Sequence, residues 1–316
     1  MMWDQKPYHS LDYELKKQYG HKVYKLSLNG GMSCPNRDGT IGNGGCIFCS
    51  EGGSGDFSSP STLSVSQQIE EAKRLILPKV KNPVNLKYIA YFQAYTNTYA
   101  PIAYLRALFN EAINHPDILI LSIATRPDCL DEEVLELLSR LNKIKPVWIE
   151  LGLQTIHEDS AKFIRRGYSL SVFEEKVQQL NNLGITVIVH TILGLPRETK
   201  HDMLLTMEYI SKLPIHGVKL QLLHILKNTD LGTLFENEDV VDTLSMDDYI
   251  DIVISCIELL PPDLVIHRIT GDGPKKLLLA PLWSTNKKLV LNRIHQKMKE
   301  GNHYQGKMRS ICNPLA

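Results

Sequence analysis

Cys34, Cys46 and Cys49 fall within CPNRDGTIGNGGCIFCS, residues 34–50, with the spacing C-x11-C-x2-C. Thiolates are nucleophiles and soft metal ligands, and this stretch holds three of the chain's six cysteines. A closed structural zinc site takes four ligands, usually as two matched pairs, and no second C-x2-C or H-x3-H pair is present. Three cysteines instead suit a cubane 4Fe-4S cluster whose fourth iron stays open to an exogenous ligand. Glycine and asparagine tolerate positive φ, so the backbone here can wrap closely and turn N–H groups toward the sulfides. Phe48 would shield one side from solvent. A zinc site of three cysteines and a distant histidine is the competing reading. Cys129, Cys256 and Cys312 stand alone and read as buried or incidental thiols.

Such a loop needs a scaffold, and the chain supplies a βα rhythm. Short apolar runs recur at 21–28, 86–92, 118–124, 147–153, 185–193 and 218–225. They are near-continuously hydrophobic, as parallel strands buried on both faces should be. Helical patterns fill the gaps at 66–80, 101–114, 131–143, 157–183 with a break near Gly167, and 199–212. Asp131 supplies an N-cap ahead of an acidic first turn, and Gly194-Leu195-Pro196 with Glu198 and Thr199 forms a turn into a capped helix. The expected fold is α/β: a partial (β/α)6 TIM-like barrel over 21–240, after an N-terminal segment 1–20. A C-terminal α/β extension, 241–316, follows, with a helix at 246–260, a strand-like 265–270 and a basic helix at 286–300, all packed on the barrel. In this architecture sites gather at the carboxyl ends of the strands, and the cysteine loop follows the first of them.

The 316 residues balance 35 Lys and Arg against 35 Asp and Glu, with 43% hydrophobic residues and no low-complexity tract. Charges interrupt every apolar run well before the ~20 residues of a membrane span, and the start of the chain lacks the apolar core of a signal peptide. A reducing, cytoplasmic location is the default expectation, and there a cysteine cluster reads as metal-binding or catalytic. Charge is uneven. Residues 275–309 carry nine Lys or Arg and one acid, Glu300, so +8 sits there and −8 elsewhere. This reads either as a solvated helix face or as a surface for phosphate backbones.

The cysteine loop resembles that of radical S-adenosylmethionine (SAM) enzymes, whose last two cysteines flank a residue and an aromatic, as Ile47 and Phe48 do here. The usual first gap is three residues; the longer gap here resembles the branch related to the Elongator catalytic subunit. The stretch LNGGMSCPNRDGTIGNGGCIFCSEGGSGDF is similar to the YtqA/YhcC, or MnmL-type, branch, and the similarity runs on through YFQAYTNTYAP, SIATRPDCL, WIELGLQT and HTILGLPRET. The resemblance implies a 4Fe-4S cluster on Cys34, Cys46 and Cys49, SAM on its open iron, and reductive cleavage of SAM to a hydrogen-abstracting radical. It also implies an electron donor such as flavodoxin or ferredoxin. Gln154 and Arg166 match a cofactor-contacting pair of the coproporphyrinogen-dehydrogenase-like enzymes, with the arginine fork suited to the methionyl carboxylate. His190 falls at a ribose contact, while Gln93, Thr96 and Asn97 follow the second strand, where the methionyl amine is held. Ala124 replaces a glutamate frequent in those relatives.

For the substrate, the resemblance implies the wobble uridine of a tRNA anticodon loop, and conversion of its 5-carboxymethylaminomethyl group, with or without 2-thiolation, to 5-aminomethyl. An unpaired anticodon base is already available for such chemistry. Tyr95, Tyr99, Tyr168 and Trp283 are stacking candidates, and Glu150, Asp272, His267 and Arg268 candidate pocket residues without an assigned role. Two further classes compete: a radical enzyme acting on a small molecule or protein, and a zinc-bound nucleic-acid-binding module without catalysis.

Overall fold

A computed structural model describes residues 2–53, 55, 58–80, 85–237, 241–271 and 273–312, the side chains of 310–312 excepted. Among the described residues nine strands run in chain order: β1 (Val23–Leu28), β2 (Lys87–Phe92), β3 (Ile118–Thr125), β4 (Val147–Gln154), β5 (Thr186–Leu193), β6 (Gly217–Leu222), β7 (Ile225–Leu226), β8 (Val265–Arg268) and β9 (Leu278–Ala280). Seven form one parallel sheet, ordered β1-β2-β3-β4-β5-β6-β8, while β7 and β9 pair antiparallel beside it. Six strands are where the apolar runs put them. The seventh is a finding: 265–268, expected in an extension packed on the barrel, instead hydrogen-bonds directly to β6. The N-terminal segment joins as well, with Ile266 N–H donating 2.7 Å to the His9 carbonyl. The sheet is a curled half-barrel with β1 and β8 as its two edges.

Helices cover the outer face because the sequence caps and stops them there. Ser64 and Thr199 each close a capping box, on Gln67 and Asp202, and the Asp131 side chain accepts from Val134 N–H as its position predicts. The 157–183 pattern splits into Glu158–Phe163 and Leu170–Asn182 around Gly167, whose φ of +80° no β-carbon residue adopts cheaply. The main core lies between these helices and residues such as Leu26, Phe92, Ile123, Leu151, Val189 and Leu220.

The strand period of two sends the alternate residues inward, where they stack in layers. The lowest layer is apolar: Val23, Ile89, Ile120, Trp148 and Ile188 close around Leu15 of the helix Leu11–Tyr19. The layer above, two residues further along each strand, is polar: Lys25, Tyr91, Ser122, Glu150, His190 and Lys219. An apolar plug thus seals one end of the half-barrel beneath a charged floor.

Candidate active site

Above that floor the cysteine loop folds over the strand ends. Arg37 and Asp38 N–H both donate to the Cys34 carbonyl, at 2.8 and 3.2 Å, and Gly45 N–H closes the loop onto the Asn36 carbonyl at 2.8 Å. Gly44 and Gly45 take φ of +80° and +86°, which lets the chain reverse without a side chain in the way. Cys49 N–H bonds the Cys46 carbonyl at 2.9 Å, a turn that holds the last two cysteines together. Ile47 between them is buried against Ile164, Ile192 and Leu195, and half-buried Phe48 packs on the same cluster. Arg37 Nη2 donates to the Cys49 carbonyl at 2.8 Å, and Asn36 Nδ2 approaches Cys46 Sγ at 3.6 Å. All three cysteines line one cavity with Gln93, Thr96, Arg126, Gln154, Arg166, Tyr168, His190, Lys219 and Arg268.

The five residues assigned to the cofactor divide. Gln154 stands where a register shift between Gly152 and Gln154 breaks the β4–β5 ladder, at a φ of +68° that non-glycine residues rarely hold. It lines the cavity, and its Oε1 is buried without a hydrogen-bond partner. A buried acceptor left so at a cavity wall is fitted to a ligand donor. Gln93 lines the cavity and accepts from Ser27 Oγ at 3.2 Å. His190 lines it too, with Nε2 2.7 Å from Glu150 Oε2.

Arg166 borders the cavity but commits its fork to protein. Nε donates to the Tyr168 carbonyl at 3.0 Å, Nη1 to those of Leu153 and Thr155 at 3.3 and 2.7 Å, and Nη2 to Glu158 at 3.1 Å. It fastens the end of β4 to the turn after it. Asn97 is fully buried outside the cavity lining, where Nδ2 ties the Phe92 and Ala124 carbonyls at 3.2 and 2.9 Å. Its neighbour Thr96 faces the cavity instead.

Among the stacking candidates, Tyr95 and Tyr168 line the cavity; Tyr168 lies against the Arg126 and Arg166 guanidiniums at 4.9 and 5.0 Å. Tyr99 bonds Thr40 on the loop at 2.8 Å. Trp283 packs on Tyr249 and donates to the Leu244 carbonyl, away from the cavity. Glu150 and Arg268 are in the cavity wall, His267 lies under the floor against Trp148, and Asp272 lies outside the described residues.

Sequence reasoning named Glu150 and His190 but missed Lys25, Lys219 and their convergence on one carboxylate. Glu150, fully buried, accepts from Lys25 Nζ at 2.7 Å, Ser122 Oγ at 2.7 Å, Lys219 and His190. Burial alone would raise its pKa, but Lys219, Lys25 and His190 outweigh it and hold the carboxyl well below the usual carboxylate range. Burial pushes His190 down to about 4, and Lys219 down to about 7 against the pull of Glu150. A signal was available: Lys25 and Lys219 are the single cations within β1 and β6, and alternation along each strand places them in the lumen.

These shifts fix a pH dependence. Between pH 4 and 6.5 the unfolded chain binds a proton at residue 190 that the folded chain refuses, and from pH 7 to 10.5 the same holds at residue 219. Stability therefore rises with pH through both windows, each group contributing up to ~1.4 kcal/mol per unit. Urea midpoints should climb from pH 4 to 6.5, and His190→Gln should flatten that climb. A midpoint that falls across the window in wild type contradicts the assignment.

The donor set fits an iron–sulfur cluster better than a single ion. Among the described residues no three His, Cys, Asp or Glu side chains gather as ligands of one metal, whereas a cubane binds three thiolates on three separate irons. Burial pushes the Cys46 thiol up to about 12, which argues against a free nucleophilic thiolate; coordination would deprotonate it outright.

A family model for the radical SAM superfamily matches residues 38–210, and one for the radical SAM C-terminal domain matches 215–300. The chain is 44% identical to YtqA of Bacillus subtilis over 303 residues, covering 96% of this chain and 93% of that one. It is 37% identical to YhcC of Escherichia coli K12, covering 87% and 86%. A more distant match is Elongator complex protein 3 of Schizosaccharomyces pombe, 27% identical over 55% of this chain and 32% of that one. In fold it is similar to Elp3 of the archaeon Methanocaldococcus infernus, with a TM-score of 0.67 at 16% identity, covering 90% of this chain and 64% of that one. The chain belongs to the radical SAM superfamily, in the YtqA/YhcC branch related to Elongator complex protein 3, an enzyme family that works with a 4Fe-4S cluster and S-adenosylmethionine.

Proposed function

We propose that this enzyme modifies the wobble uridine of tRNA, converting 5-carboxymethylaminomethyluridine or its 2-thio form to the 5-aminomethyl nucleoside. The supporting observation is kinship: the chain is 44% identical to YtqA and 27% identical, over 55% of its length, to Elongator complex protein 3 of Schizosaccharomyces pombe. When bound, the cluster and SAM supply a radical able to abstract hydrogen from an unactivated C–H beside nitrogen. The protein's own part is placement and dryness. Cys34, Cys46 and Cys49 hold the cluster, Gln154 and Gln93 offer polar contacts to SAM, and Arg166 and Arg126 brace the loop and turn around them. The apolar plug around Trp148 and Leu15 keeps water from below.

The basic C-terminal segment supports an RNA partner, with a refinement. Arg293 and Lys297 pair with Asp247 and Asp251 of the neighbouring helix, Met246–Leu259, at an exposed surface. Lys275, Lys276, Lys288 and Lys299 are exposed, and the first two adjoin Pro274 in a groove that reaches Arg268 and Cys49. Charge reversal at Lys275 and Lys276 should weaken tRNA binding and reduce the salt slope by roughly 0.7–0.9 for each phosphate that is no longer neutralised. An unchanged slope removes this face from the RNA path.

The deciding experiment is nucleoside mass spectrometry of tRNA from a strain lacking the gene. Accumulated carboxymethylaminomethyl wobble uridine with loss of the aminomethyl descendants supports the reading; a wild-type nucleoside profile contradicts it.

A further inference from the structure

Among the described residues, three cations share the cavity floor with a single carboxylate. Lys25 and Lys219 both pair with Glu150, and Arg268 lines the same cavity. Among the described residues, no hydrogen bond or ion pair engages the Arg268 guanidinium. The register makes the imbalance sharper. A shift between Val218 and Lys219 sets Arg268 directly opposite Lys219 on adjacent strands, and His190 is opposite Lys219 on the other side. Like charges facing each other across a ladder are destabilising, and Arg268 is half-buried beside Lys219. Glu150 answers for the two lysines it touches; Arg268 is left over. Gln221, two residues along β6 from Lys219, adds a neutral polar group to the same wall.

Arg268 also lines a second groove, with Gln93, Gln221, His224 and Pro274, that runs outward from Cys49 at the open side of the half-barrel. Of the residues assigned above to SAM, Gln93 is shared with this groove, while Gln154, Arg166 and His190 line only the cysteine cavity. The arginine is thus shared between the cysteine cavity and this second groove, and both reach Cys49.

We propose that Arg268 and Lys219 form a receptor for a carboxylate carried by the substrate, seated beneath the cysteine loop, with the arginine fork taking both oxygens. A planar guanidinium matches a carboxylate in two parallel N–H bonds, and Lys219 supplies a point charge at its flank. The receptor rests on the function proposed above and deepens it: a carboxymethylaminomethyl group ends in a carboxylate and its aminomethyl product does not, so the floor separates substrate from product by charge.

The test uses reconstituted, anaerobic holoenzyme saturated with SAM, so that the methionyl carboxylate has its own place filled. N-methylglycine labelled with carbon-13 in its carboxyl group is titrated and followed by line broadening, with N-methylglycinamide as the control that lacks the carboxylate. The receptor requires saturable binding of the acid and not the amide. Arg268→Gln should weaken it roughly ten- to hundredfold, and Arg268→Lys should keep part of it. Absent binding to the wild type, equal binding of the amide, or equal binding to R268Q overturns the receptor. Iron content and melting temperature of each variant show that the fold and cluster are intact. A second arm compares anticodon stem-loops bearing carboxymethylaminomethyl- or aminomethyluridine at the wobble position. Preference for the former, lost in R268Q, joins receptor to RNA. Should N-methylglycine behave as required while the two RNAs bind alike, the receptor stands and the wobble-uridine reading falls.

Discussion

Glu150→Ala should be among the most damaging single substitutions in the chain, lowering folding stability by ~3–5 kcal/mol, the range for breaking a buried ion pair from one side. Among the described residues Glu150 is the only carboxylate touching Lys25 and Lys219, and it also anchors Ser122 and His190. Its removal strands two cations in the lumen of a half-barrel. The lysines differ in their escape. Lys219, already held to about 7 by burial, can shed its proton, so the penalty should shrink as pH rises from 6 to 9. Glu150→Gln keeps a hydrogen-bond acceptor for Ser122 but not the charge, and should fall between wild type and alanine. Urea denaturation at the two pH values reads this directly. An E150A variant as stable as wild type at pH 6 means that the floor is not held by its carboxylate.

Cys46→Ala has the opposite profile: a small effect on folding and a total one on activity. The loop is fastened by Ile47, buried in an apolar cluster, by Leu231 N–H on the Ile47 carbonyl at 2.8 Å, and by Arg37 on the Cys49 carbonyl. The Cys46 thiol contributes little to that fastening beyond its contacts with Asn36 and the Arg165 carbonyl. Stability should change by no more than about 1 kcal/mol, as for substitutions away from packed or charged networks, while iron content and SAM cleavage are lost. Cys34→Ala and Cys49→Ala should behave alike. Full cluster loading in any one of the three, or unfolding of the barrel in all, contradicts the shared-ligand reading.

The parts of this molecule that obey periodicity were legible in the sequence. Six strand runs, their capped helices and the break at Gly167 follow from local pattern, and the cysteine loop announces itself by composition. What was not legible depends on long-range pairing. Whether 265–268 joins the sheet turns on its hydrogen bonds to β6, which no local pattern encodes. Arg166 and Asn97 are expected by position to contact the cofactor; that both also bond backbone carbonyls near the strand ends is a role only the folded chain displays. The charged floor lies between these cases. Lys25, Glu150 and Lys219 each interrupt an apolar strand, and alternation places each in the lumen. Their convergence on one carboxylate, and the facing of Lys219 by Arg268, needed the register.

Central to the proposed chemistry is a 4Fe-4S cluster that Cys34, Cys46 and Cys49 would hold and that would supply reductive cleavage of SAM. Its most direct measurement is anaerobic reconstitution with iron and sulfide, followed by SAM and dithionite, with 5′-deoxyadenosine quantified by mass spectrometry. The expected result is four irons and four sulfides per cluster and release of 5′-deoxyadenosine that the three alanine variants lack. Protein that takes up zinc in place of iron, or that loads iron and leaves SAM intact under reductant, contradicts it.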